Sequence, residues 1–212
     1  EVREGLVKHD TDYDVSHAAG YEPEKAGTLE CQIANLADEI AYSTSDLDDG
    51  LRAGLLAPSD VQKLAIWQDV MRSLGEPPDR PIDTMLRHRA IRRLVGIEVT
   101  AALEETTRRL HESGVQSVEE LRALGRNVVG FSAEMEEKNR ELRQFLMTHF
   151  YRHYRVMRMT QKARRLITDL FWAYIDEPTQ LPQEILARAA EEPEGIYRVV
   201  CDYIAGMTDR YA

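Results

Sequence analysis

Cysteine is scarce in this chain: Cys31 and Cys201 are the only two among 212 residues. They share no motif spacing and each lies in an apolar helical context, which argues against a disulfide framework and a CxxC redox centre. A reducing, cytoplasmic setting is the expectation. Long apolar runs are missing too. No stretch approaches the roughly 18 residues that cross a bilayer, and no signal-peptide pattern opens the chain, so no membrane partner is expected. Basic charge is in deficit, with 27 Lys and Arg against 37 Asp and Glu and a net charge of −10. A general nucleic-acid binder carries the opposite footprint. Familiar site signatures are absent as well. His17, His88, His111, His149 and His153 form no HExxH or comparable ligand spacing, and there is no Walker loop, GxGxxG turn or GxSxG elbow. Asp48-Asp49-Gly50 resembles a piece of a calcium loop but lacks the terminal Glu at the right offset, which leaves a helix-turn role. Alternation with period two is nowhere sustained, which speaks against a sheet protein.

What is present is the helical period. The chain is 43% hydrophobic and 30% charged, enough apolar residues for a real core and enough charge for solubility. After a short helix end in EVREGLVKH and a polar, Gly- and Pro-containing loop over 9–27, helices are predicted over 28–45, 46–56, 59–74, 82–113, 117–124, 132–150, 157–175, 182–190 and 193–211. The break GEPPDRP separates the third of these from the fourth. Leu86, Ile91, Leu94, Val95, Val99, Leu103 and Leu110 mark the expected buried side of the long helix. The fold class is all-α, a bundle of about nine to ten helices. Both ends read as interrupted helices without an initiator Met, so a piece of a longer chain is expected.

The stretch LADEIAYSTSDLDDGLRAGLL carries a second pattern. Leu29, Ile33, Leu36, Ala37, Ile40 and Ala41 fill one broad apolar arc at 100° per residue. Asp38, Tyr42 and Asp46 form a stripe beside it, drifting about 40° per step of four. A solvated face carries long, flexible charges of mixed sign. Two short acids and an aromatic hydroxyl at the margin of a core look like the lining of a cleft.

From 142 to 168 there is no acid at all, yet Arg143, Arg152, Arg155, Arg158, Lys162, Arg164 and Arg165 fall there. Arg binds phosphate oxygens through a planar fork of donors, so a phosphate site is one reading. A helix face whose arginines pair with acids elsewhere is the other, and the commoner. His9-Asp10 has the composition of the metal centre in HD-type phosphohydrolases. That centre needs an earlier His on a separate helix, so the dipeptide reads as unrelated to any metal.

Four blocks now match a known family. LADEIAYSTSDLDDGLRAGLL resembles the second conserved block of the deoxyguanosine triphosphate triphosphohydrolases and their bacterial relatives, the dGTPase-like branch of the HD superfamily. EVREGLVKH resembles the block before it, FLMTHFYRHYRVMRM a third and VCDYIAGMTDRYA the closing one. The first half of that family, with the first His, the His-Asp pair and the catalytic His, has no counterpart here. The chain resembles the C-terminal portion: 1–56 as the remnant of the HD catalytic domain, and 57–212 as a helical region that completes the substrate pocket and oligomer contacts.

The resemblance assigns roles. Asp38 matches the last metal-binding Asp. Tyr42 and Asp46 match residues that hold the deoxyribose, Asp46 accepting from the 3′-hydroxyl. Tyr151 matches the aromatic that packs on the sugar and disfavours a 2′-hydroxyl. Arg143 matches an Arg on the triphosphate and Lys8 a phosphate-binding Lys, while Arg164 and Arg165 stay structural. No catalytic residue falls within the chain. The implied reaction is hydrolysis of a deoxynucleoside triphosphate to deoxynucleoside and intact tripolyphosphate, with Mg²⁺ or Mn²⁺, in a homo-oligomer. With one matched carboxylate, the chain by itself is expected to bind no metal of ordinary affinity and to hydrolyse no dNTP. The competing reading is an all-α interaction or scaffold module in which Asp38, Tyr42 and Asp46 form a polar seam.

Overall fold

A computed structural model describes residues 2–9, 25–208 and 211, and among these every regular element is helical. The polar loop with His17, and Asp10 beside His9, lie outside the described residues. The helices are α1 Val2–Val7, α2 Leu29–Arg52, α3 Pro58–Val61, α4 Ala65–Leu74, α5 Thr84–Ser113, α6 Val118–Ala123, α7 Ala133–Leu146, α8 Tyr154–Asp176, α9 Gln183–Arg188 and α10 Gly195–Ala205. A π-turn, Met147–Tyr151, extends α7, and a 3₁₀ turn, Pro178–Gln180, follows α8.

Local chemistry sets the boundaries. Side-chain oxygens of Thr28, Asp83, Ser117 and Ser132 accept from backbone N–H groups in the first turns of α2, α5, α6 and α7. Gly75 and Gly114 close α4 and α5 at φ of 69° and 67°, a conformation that a Cβ disfavours.

Two compact units result, Glu1–Tyr151 and Arg152–Ala212. In the first, α2 packs against α5 and α7, and α4 packs against the same two helices. Their shared core holds Leu47, Trp67, Met71, Leu86, Leu94, Leu142 and Leu146, all essentially solvent-free. In the second, α10 packs on α8. Phe171 stacks on Tyr197 with ring centroids 6.4 Å apart, and Tyr174 meets Tyr203 edge-on at 5.6 Å.

Four sequence expectations change. The helix predicted over 59–74 is two, α3 and α4, parted at residues 62–64. The predicted boundary at Asp46 does not exist: α2 runs unbroken to Arg52. No Gly or Pro interrupts residues 29–49, and Leu47, at 0% exposure, anchors the second half to the core. Only part of the apolar arc is covered. Ile40 and Leu47 are buried with Cys31, Gln32, Ser43 and Thr44, while Ile33, Ala37 and Ala41 face solvent. The buried polar residues explain the rotation. Gln32 Oε1 accepts from the N–H groups of Val128 and Val129 at 2.8 and 3.2 Å, and Thr44 Oγ1 donates to Ile40 O at 2.6 Å. On α5, Val99 and Leu103 are exposed. The buried ridge runs Leu86, Ala90, Leu94, Glu98, Ala102, at steps of four, where the small Ala residues admit neighbouring helices.

Gly50 shows how tightly α2 closes. The chain doubles back after α2, and a Cβ at Gly50 would stand 2.5 Å from Leu56 Cδ1 and 3.2 Å from Phe150 Cδ2. Gly50→Ala is therefore expected to destabilise by about 1–3 kcal/mol, overriding the helix-propensity gain. Urea denaturation checks this. Most of the penalty should disappear on a Leu56→Ala background, which frees the volume the two positions share and leaves only the Phe150 contact.

Candidate functional site

Helix α2 acts as a ruler. Asn35, Asp38, Glu39, Tyr42 and Asp46 fall within roughly 100° of arc on its face, and about 12 Å of axis separates Asp38 from Asp46. Each end of this face meets side chains from elsewhere in the same unit.

At the Asp46 end, the π-turn brings in Tyr151. One extra residue per turn rotates the backbone that α7 would otherwise continue. The Tyr151 hydroxyl donates to Asp46 Oδ2, joining residues 105 apart in sequence. Tyr42 lies beside it, the two rings tilted by 34° with centroids 6.1 Å apart. Burial raises the pKa of Asp46, Tyr151's hydrogen bond opposes that rise, and the charge of Asp49 adds to it. The Tyr151 hydroxyl is pushed up by burial and then by its bonds to Asp46 and Tyr42, so it remains a donor. The result is a half-buried acceptor flanked by two aromatic rings. It suits a ligand with a hydroxyl on an apolar ring.

Arg143, from the last turn of α7, meets this face at Glu39. Its Nη2 donates to Glu136 Oε1 at 2.7 Å and its Nη1 lies 3.7 Å from Glu39 Oε2. It also lines a cavity of about 800 Å³ with Ala65, Lys138, Glu141 and Met147. Behind it is Glu98, only 1% exposed, whose Oε2 has no hydrogen-bond partner. Burial pushes the Glu98 carboxyl up to about 8 against the pull of the Arg143 charge. A carboxyl that holds its proton more tightly when folded loses its stabilising effect as pH climbs. Stability is expected to fall between about pH 4.5 and about pH 8. Relative to Glu98→Gln, the native protein should lose on the order of 2–4 kcal/mol between pH 5 and pH 9 in urea denaturation. Parallel pH profiles would show that Glu98 does not titrate there.

At the Asp38 end, α1 supplies two residues. His9 Nδ1 lies 2.6 Å from Asn35 Oδ1, and its Nε2 lies 3.8 Å from Asp38 Oδ2. Lys8 is turned away from this pair. It is bound to Glu4 Oε1 at 2.9 Å and donates to Lys25 O at 2.9 Å. Glu4 in turn pairs with Arg122, and the Lys8 and Arg122 cations hold its carboxyl below the usual range. Lys8 and Asn35 share a cleft of about 370 Å³ with Lys25, Arg126 and Asn127, a cation-rich wall one helical turn from Asp38.

The structure thus joins Asp46, Tyr151 and Tyr42 directly and sets Asp38 and Arg143 along the same helix face. Lys8 is next to that face but engaged elsewhere. The acid-free block is divided. Arg143 belongs to the first unit, and Arg155, Arg158, Lys162, Arg164 and Arg165 lie exposed on α8 of the second. The guanidinium groups of Arg155 and Arg158 sit 5.9 and 5.4 Å from the Tyr154 ring. His9, Glu39 and Glu98 were not legible as site neighbours. Only the i+4 ridge through Glu98 offered a signal.

Comparison with known proteins begins with a family model. Residues 129–212 match the phosphohydrolase-associated domain family. Longer relatives narrow it. All of this chain is 38% identical to a deoxyguanosinetriphosphate triphosphohydrolase-like protein of Geobacter sulfurreducens, over 214 residues covering 55% of that protein. It is 42% identical to the protein of that name from Geobacter metallireducens, over 219 residues and 55% of its length. For the Caulobacter sp. K31 protein the values are 38%, 229 residues and 57%. The chain is a homologue of the deoxyguanosinetriphosphate triphosphohydrolase-like proteins along its whole length, and it spans little more than half of theirs.

Proposed function

We propose that this chain is the C-terminal portion of a metal-dependent deoxynucleoside triphosphate triphosphohydrolase. Residues 1–56 carry the edge of its catalytic domain and 57–212 complete the pocket and the contacts of a homo-oligomer. One observation carries this reading. The hydroxyl-accepting pocket of Asp46, Tyr151 and Tyr42 and the exposed carboxylate of Asp38 share one helix face with about 12 Å of axis between them, so one nucleotide can lie along it with its sugar at the Asp46 end and its phosphates toward Asp38. Arg143 meets this face at Glu39, and the cations around Lys8 lie just beyond its Asp38 end.

In this reading Asp46 accepts from the 3′-hydroxyl through the oxygen that Tyr151 leaves open. Tyr151 and Tyr42 pack on the sugar ring and leave little room at its 2′ position. Arg143 exchanges Glu136 for phosphate oxygens, and Lys8 does the same with Glu4. Asp38 is an exposed oxygen donor of the kind that Mg²⁺ and Mn²⁺ take. Among the described residues no group of three or more His, Cys, Asp or Glu side chains converges, so Asp38 fits such an ion only as a member of a larger set. A bound divalent ion supplies Lewis-acid polarisation of the phosphate.

The rest of the set belongs to the portion of the longer relatives that this chain does not span. Exposed Ile33, Ala34, Ala37 and Ala41, next to Asp38 on α2, give it an apolar surface to cover. Exposed Tyr154, Met157, Leu166, Ile167 and Trp172 on α8 support the oligomer. Among the described residues no helix is long and apolar enough to cross a membrane, which agrees with a cytoplasmic nucleotide enzyme. The test is ³¹P NMR of the full-length enzyme with a dNTP and Mn²⁺. Intact tripolyphosphate is the expected product. Pyrophosphate, orthophosphate or no turnover points instead to another hydrolase or to a scaffold module.

A further inference from the structure

We infer that Glu98 is a positioning residue for Arg143: its carboxyl takes up a proton when Arg143 turns to a triphosphate and competes for that guanidinium when it is ionised. The inference rests on the reading of Arg143 as a phosphate contact and adds a group that controls it. Three helices carry buried polar residues at one level, between two apolar clusters. On α5 the order is Leu94, Glu98, Ala102, and on α7 it is Leu142, Asn139, Met135. On α2, Ser43 and Thr44 lie between Leu47 and Ile40. Leu47, Leu94 and Leu142 belong to the larger cluster, Ile40 and Ala102 to the smaller one, and Met135 packs against both. The α2 hydroxyls are satisfied within their own helix, Ser43 Oγ donating to Glu39 O at 2.9 Å and Thr44 Oγ1 to Ile40 O. The other two residues each keep one orphan: Glu98 Oε2 and Asn139 Oδ1 are buried without a hydrogen-bond partner.

Buried orphan acceptors are costly, and an apolar side chain of similar volume would fill the Glu98 position with less penalty. What distinguishes the position is its cation. Arg143 reaches back along α7 to Glu136, seven residues earlier, so its side chain crosses the turn that holds Asn139. Other charges on the helices packed against α5 have partners of their own. On α2, Asp46 is bonded by Tyr151 and Asp48 pairs with Arg87. On α4, Asp69 pairs with Arg72 and with Lys138 of α7. Glu39 and Glu136, both partly exposed, hold Arg143 from the solvent side. The Arg143 charge is the one that pulls on Glu98, against the effect of burial. A triphosphate takes that guanidinium for its own oxygens. Ionised Glu98 then loses its countercharge in a buried place, so the bound state favours the protonated carboxyl. The proton comes from solvent, and no covalent bond of the ligand is made or broken. By linkage, a ligand that favours the protonated form binds more weakly as pH rises. Glu98 of the free protein ionises at about pH 8, so the loss is small at pH 7 and develops above pH 8.

Calorimetric titration of the full-length protein with inorganic tripolyphosphate, in saturating Mg²⁺ at pH 7 and pH 9, tests this. Relative to Glu98→Gln, the native protein is expected to lose about tenfold in affinity between the two, as one linked proton allows. Taking the difference from Glu98→Gln removes the titration of the probe itself. At pH 8, in two buffers of different ionisation enthalpy, the native protein should take up a fraction of a proton more than Glu98→Gln. A carboxyl that only fills space moves neither readout. On an Arg143→Ala background, binding should weaken about tenfold or more and the Glu98→Gln difference should disappear. If Arg143→Ala weakens binding while the native and Glu98→Gln profiles run parallel, Glu98 is structural and the phosphate reading of Arg143 survives. If the native protein does not bind the probe, or Arg143→Ala binds it as tightly, that reading fails and this inference with it. A Glu98→Gln difference that persists in Arg143→Ala overturns the coupling.

Discussion

On the reading proposed above, Asp38→Asn in the full-length protein is expected to lower dNTP hydrolysis at least a thousandfold while leaving the melting temperature within a few degrees of the parent. The substitution keeps the size of the side chain and removes the charge that a divalent ion requires. Stability should be unmoved because Asp38 is exposed and, among the described residues, its ion-pair partner is the His9 ring at 3.8 Å. An exposed contact of this length contributes little to folding. Steady-state rates with saturating Mn²⁺, read beside thermal melts, check both halves. Activity within a few fold of the parent would remove Asp38 from the metal site. A large drop in melting temperature would turn it into a structural seam.

The second large effect belongs to the other end of α2. Asp46→Ala should lower kcat/KM for a deoxynucleotide about ten- to a hundredfold, since a charged acceptor bonding a hydroxyl contributes on the order of 1.5–3 kcal/mol. A 2′,3′-dideoxynucleotide never makes that bond, so the same substitution should cost it far less. Tyr151→Ala should act differently. It would remove the ring proposed to crowd the 2′ position and should raise ribonucleotide hydrolysis relative to deoxyribonucleotide. Because Tyr151 also donates to Asp46, the two effects should be less than additive. Measuring kcat/KM for deoxy-, dideoxy- and ribonucleoside triphosphates on the parent, the two single variants and their double variant decides the matter. Equal losses on deoxy and dideoxy substrates would take Asp46 out of the sugar pocket.

Much of this architecture was legible before any coordinates. The period of 3.6 and the break at GEPPDRP are local facts, and the local pattern decides helix against strand. The stripe of Asp38, Tyr42 and Asp46 is local too, because residues four apart share a face whatever surrounds them. An apolar arc says only that a face can be buried. Ile33, Ala37 and Ala41 read the same as Ile40, yet the rotation of α2 follows the bonds of Gln32 to Val128 and Val129, 96 and 97 residues away. Tyr151 reaches Asp46 over 105 residues through a π-turn whose extra residue leaves no mark in the helical pattern. Glu98 lies on a buried ridge that its own polarity disguised. His9 reads as an ordinary loop histidine until α1 docks on α2. The one-dimensional pattern determined the elements and the chemistry each face carries. Only tertiary packing decided which faces meet, because contacts between distant segments depend on the volumes and hydrogen bonds of both partners together.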